Sequence, residues 1–92
     1  MNKQYIIEIT MNNKKTNKVN IGYRPHLALP NSDELLGVQF IDLLDEVITN
    51  QPTLAVIETM YDIDYSSLQV NTIFDIREGQ NIVGKGIIKE II

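Results

Sequence analysis

The chain has 92 residues, enough for one domain whose 43% hydrophobic content must form a single compact core. It has no cysteine, which excludes a disulfide framework and thiolate metal sites and suits a reducing cytosol. A net charge of −4 argues against a broad nucleic-acid groove, and no apolar run approaches the roughly 18 residues of a membrane span.

In chain order the periodicity is that of strands. Gln4–Thr10 is rich in β-formers, and the polar stretch MNNKKTNK that follows is a loop. Val19–Leu29 reads as a strand interrupted near Pro25, which lacks an N–H for the ladder and belongs at an edge or a bulge. Pro30-Asn31-Ser32-Asp33 is a turn cluster, and Leu35–Asp42 is a strand with Gly37 at a bend. Leu43–Glu46 and Asn50-Gln51-Pro52 bracket a connection with room for one helical turn. Thr53–Tyr61 opens as an almost continuous apolar run, suited to a central strand. Leu68–Ile76 is a further strand with Val70, Thr72, Phe74 and Ile76 on one side, and Asn81–Ile92 is the last, built around Gly84 and Gly86. Six strands with short turns imply an all-β barrel or sandwich, with one domain over residues 1–92.

The charge is divided along this order. Residues 1–30 carry Lys3, Lys14, Lys15, Lys18 and Arg24 against Glu8 alone. Residues 31–65 carry eight carboxylates and no Lys or Arg, and residues 66–92 balance three against three. Solvated loops account for such a pattern, and so does a dipolar surface that orients a partner. The opening MNKQYIIEIT has no apolar signal segment, so the expectation is a soluble, cytoplasmic protein without membrane association.

Little in the sequence carries chemistry. Gly79 to Gly86 spells most of a phosphate-binding P-loop, but Gly86 stands where a Ser or Thr hydroxyl would bind Mg²⁺. The segment behind it, Ile87 to Ile92, is mostly β-branched and unsuited to the helix whose N-terminus would hold phosphate. A hairpin turn at Glu78-Gly79-Gln80-Asn81 is the better reading, with Gly79 at positive φ and Gly84 and Gly86 leaving room for a neighbouring backbone. His26 is the lone histidine, and the carboxylates match no calcium loop. Ser32, Ser66 and Ser67 sit in turn-like contexts, and Tyr5, Tyr23, Tyr61 and Tyr65 lack the interleaved cations of a single-strand platform. No catalysis, metal, cofactor or nucleotide binding is expected.

Two stretches together resemble the third, C-terminal domain of elongation factor Tu. Gly22-Tyr23-Arg24-Pro25-His26 is similar to that domain's G-Y-R-P-Q/H segment, and Phe74 to Gly79 with Val83-Gly84-Lys85-Gly86 is similar to its closing F-x-I-R-E-G-x-x-x-V-G-x-G. Their order and spacing agree over nearly the whole chain. The resemblance implies a six-stranded antiparallel Greek-key β-barrel. It also implies contact with the T-stem side of tRNA through Arg77, Glu78 and Gly79. This chain departs from the pattern at Gln80 and Asn81, where the family has glycine and a basic residue, and in the acidic stretch Glu58 to Asp64. Without a GTPase domain, GTP-driven delivery of tRNA is not expected of the chain alone.

Two functional expectations follow. The first is a non-enzymatic binding module that contacts a protein partner or a second copy of itself, with Arg24, Arg77, Glu78, Gly79 and Gln80 as contact residues. The alternative is a tRNA- or translation-associated RNA binder without GTPase activity. For Arg24 a structural role with turn carbonyls competes with contact, and for Arg77 a pairing with Asp75 or Glu78 does so.

Overall fold

Alternation of side chains builds the strands. In β1 (Gln4–Met11), Tyr5, Ile7, Ile9 and Met11 are buried and the residues between them are not. In β4 (Thr53–Thr59), Thr53, Ala55, Ile57 and Thr59 are buried in the same way. The computed structural model describes residues 2–92. The other strands are β2 (His26–Ala28), β3 (Leu35–Leu43), β5 (Ile73–Glu78) and β6 (Asn81–Ile91). All neighbours are antiparallel, and the order β1-β4-β3-β2-β5-β6 closes into a barrel, as the all-β, six-stranded expectation required. Strands β2, β3 and β4 form a meander and β1 returns beside β4, which is the Greek-key order. Closure leaves no unpaired strand edge.

The inward faces meet in one core that includes Tyr5, Phe40, Ile57, Ile76 and Ile88. Val19 joins it from the loop after β1, and Tyr65 and Leu68 join it from the loop after β4. Antiparallel register places the loops at two ends. Residues 12–25, 44–52 and 79–80 share one end, where the Asn50 amide donates to the Met11 carbonyl and the Asn12 side chain donates to the Ile82 carbonyl. Residues 29–34 and 60–72 share the other, beside Lys3, whose carbonyl accepts from the Thr59 amide.

Four boundaries differ from the sequence reading, each for a local reason. The strand expected over Val19–Leu29 is regular only at 26–28. Upstream the chain still follows β3: the Phe40 amide donates to the Tyr23 carbonyl and the Val38 amide to the Pro25 carbonyl. Pro25, with no N–H, interrupts the ladder as expected. The 44–52 connection contains no helical turn. Val47, Ile48 and Thr49 are β-branched, and Asn50 takes a left-handed φ of 65°. Residues 68–72 turn before β5 begins, because Asn71 has φ 73° and the Thr72 hydroxyl accepts from the Gln69 amide in place of a ladder bond. Val70 is therefore exposed and does not share a face with Phe74. Finally, β4 stops at Thr59 and alternates, since one of its faces is solvated.

Candidate functional site

The hairpin expected at Glu78–Asn81 is present, with Glu78 paired to Asn81 and Gly79-Gln80 as its two-residue tip. Gly79 has φ 60° and Gln80 an ordinary φ, the pattern of a type II′ turn with glycine in first position. The rest of the quasi-P-loop runs as strand through Gly84-Lys85-Gly86. A Cβ on Gly86 would lie 2.7 Å from the Glu8 carbonyl oxygen, and one on Gly84 would lie 2.9 Å from that of Thr10. Both glycines admit the backbone of β1, as their spacing suggested, and no phosphate cradle is formed there.

Of the expected contact residues, Glu78 is drawn inward. The Tyr23 hydroxyl donates to its Oε2 at 2.6 Å, and Lys15 Nζ lies 3.2 Å from the same oxygen. Lys15 also stands 4.8 Å from the centre of the Tyr23 ring, which packs at 5.2 Å on Phe40. Only 8% of the Lys15 side chain is exposed, so this charge lies against an aromatic face with an ionic partner. The Tyr23 hydrogen bond, with a smaller contribution from Lys15, holds the Glu78 carboxyl below the usual carboxylate range. Burial and the Glu78 carboxylate raise the Tyr23 phenol above its ordinary value. The cluster straps loop 12–25 to the β5–β6 hairpin, and its polar atoms are spent on one another.

Arg77 pairs in register with His26 and Ile82 and is half-buried. It forms no ion pair with Asp75 or Glu78, and its Nε is buried without a hydrogen-bond partner. Arg24 is exposed, and no hydrogen bond to a turn carbonyl involves its side chain among the described residues. Gln80 and Gly79 are exposed at the tip. All five residues therefore belong to one end of the barrel. The loops of that end carry Lys14, Lys15, Lys18 and Arg24 against Asp45 and Glu46.

The opposite end holds what the sequence reading passed over. Leu35, Leu36 and Ile63 line a hollow of about 260 Å³ with Glu34 and Asp64. A second hollow of about 240 Å³ adjoins it through Ile63 and Asp64 and includes Lys3, Tyr61 and Asp62. Tyr61 and Ile63 are 55% and 50% exposed, yet their segment is held firmly. Buried Tyr65 donates its hydroxyl to the Gly37 carbonyl at 2.6 Å and accepts from the Tyr61 amide. The Tyr61 ring covers Gly37, where a Cβ would strike it. Asp64 accepts from the Ser66 amide and hydroxyl, which keeps its carboxyl below the usual range. The loops of this end carry Asp33, Glu34, Asp62 and Asp64 and no cation. The sequence signal was available: the acidic 58–64 stretch is where the chain departs from its resemblance.

A larger hollow of about 430 Å³ lies on the barrel wall between Ile73, Ile87, Glu8 and Lys85. It touches none of the five expected residues, and its charged lining contains both signs. No group of three His, Asp or Glu side chains suited to a metal occurs among the described residues. No known protein family matches the chain, and no curated protein matches it in sequence.

Proposed function

We propose that this chain is a non-enzymatic binding module that engages a protein partner through the acidic, apolar cleft at the 29–34 and 60–72 end. One observation carries the reading: Tyr61 and Ile63 are exposed apolar side chains fixed by buried Tyr65 and rimmed by Glu34, Asp62 and Asp64. Interfaces are built this way, with rigid aromatic and aliphatic anchors inside a polar rim. The fold to which we assign the module is that of the elongation factor Tu C-terminal domain, in a cytoplasmic setting. The hairpin tip and the two glycines of β6 support that assignment. The test is capture from an extract of the protein's own cells by immobilised wild type and by Ile63→Asp. A partner retained by the first and lost by the second is expected; no Ile63-dependent partner would sink the reading.

The cationic end supports a second reading, binding of tRNA, because the Arg77–Gln80 hairpin sits there beside four cations of loop 12–25. It predicts tRNA binding that weakens with salt and with Arg77→Ala. Absence of binding at low salt eliminates it.

A further inference from the structure

Resting on the binding-module reading, we infer that the occupant of the acidic cleft is the cationic end of a second copy of this chain, in a head-to-tail contact. The two ends are complementary in kind. One presents Asp33, Glu34, Asp62 and Asp64 against a single cation, Lys3, around exposed Leu35, Tyr61 and Ile63. The other presents three exposed cations, Lys14, Lys18 and Arg24, against Asp45 and Glu46 around exposed Ile21, Leu44 and Ile48. Its cations are free to change partners. Lys14 and Arg24 are exposed and form no ion pair among the described residues, and Lys18 pairs with Glu46 at 2.7 Å with both side chains about 60% exposed. An exposed pair of this kind is worth little and is exchanged across an interface at small cost. Like ends repel, so a two-fold dimer that apposes identical ends is disfavoured and the opposite ends are left to meet.

The geometry also sets the strength and form of the assembly. An end of a molecule whose Cα envelope measures 30 × 26 × 22 Å offers on the order of 600 Å² to a neighbour. A two-sided contact of that size falls near the ~1,200 Å² lower limit of specific interfaces, the size class of weak, transient contacts. Because the two surfaces differ, the contact is heterologous and each copy keeps a free end of either sign. Growth past the dimer follows.

Sedimentation equilibrium from about 5 to about 500 µM reads this directly. Wild type in about 50 mM salt should show an average mass that rises beyond two protomers, and in about 500 mM salt the association should weaken at least tenfold. Glu34→Lys/Asp62→Lys and Lys14→Glu/Arg24→Glu alter only exposed side chains outside the Tyr23–Glu78 and Tyr65–Gly37 contacts. Each should be monomeric alone, with a wild-type circular dichroism spectrum, and an equal mixture should associate again through restored opposite charges. A wild type that stays monomeric at low salt overturns the inference, as does a mixture that remains monomeric or a two-charge variant that assembles like wild type. A monomeric wild type that still captures another protein through Ile63 overturns this inference alone and leaves the binding-module reading standing.

Discussion

Gly86→Ala isolates the reason for glycine in β6. The added Cβ would sit 2.6 Å from Phe74 Cζ and 2.7 Å from the Glu8 carbonyl oxygen, against a normal carbon contact of about 3.5–4.0 Å. The oxygen belongs to β1, whose Ile9 is the register partner of Gly86, so it is held by the ladder. The Phe74 ring is packed in the core at 2% exposure and has no empty space to enter. Overpacking of this kind costs about 3 kcal/mol, and alanine recovers about 0.5–1 kcal/mol through its lower backbone entropy in a strand. The net loss is about 2 kcal/mol, which for a domain of this size lowers Tm by about 8–16 °C. Thermal unfolding followed by circular dichroism measures it, with urea unfolding to show that the m-value is unchanged. Gly79→Ala is the informative companion. Nothing lies within 4 Å of its Cβ, and its penalty of about 1–2 kcal/mol comes from φ 60° alone. A Gly86→Ala protein as stable as wild type would refute the view that these glycines are there for strand packing.

Three other outcomes are expected. Tyr23→Phe should cost about 1 kcal/mol at neutral pH, since it removes a donor from a partly exposed carboxylate. Because the folded state holds the Glu78 carboxyl low, its contribution is present above the ordinary carboxylate value of 4.5 and is lost as pH falls through the folded value. The gap between wild type and Tyr23→Phe should thus narrow in urea titrations below pH 4.5, and a gap that widens there contradicts the assignment. Tyr65→Phe should cost about 1–2 kcal/mol and raise amide exchange over residues 60–66, because the Gly37 carbonyl and Tyr61 amide lose their buried partner. Arg77→Met keeps the apolar stem and removes a buried, unpartnered Nε, so unfolding free energy should stay within about 1 kcal/mol of wild type or rise. A large loss would mean that the guanidinium has a partner of consequence.

Much of the barrel was legible because strand formation here is a local matter. The period-2 patterns of Gln4–Met11 and Thr53–Thr59 mark one face for burial, and only one register buries Tyr5, Ile7 and Ile9 together with Ala55 and Ile57. Turn chemistry was legible too. Gly79 is at positive φ, and Asn31 and Asn50, both in expected turns, take the left-handed conformation that Asn tolerates better than most residues; Asn71 takes it too, inside what reads as a strand. Legibility ended where a distant residue decides. Lys15 reads as one cation of a polar loop, and it is buried because Glu78, 63 positions away, meets it across the barrel mouth. Tyr61 reads as the tail of an apolar strand and Ile63 as part of an acidic stretch, and both are exposed because Tyr65 turns the chain to reach Gly37.

The sequence by itself determined the strand number, the hairpin at residues 78–81, the closeness of β6 to its neighbour and the uneven charge along the chain. All four follow from propensities and periodicities that act over a few residues. The tertiary structure alone decided that the uneven charge becomes two opposed poles. Antiparallel closure sends the 12–25 crossover to one end and the acidic 29–34 and 60–72 turns to the other, and no local pattern contains that information.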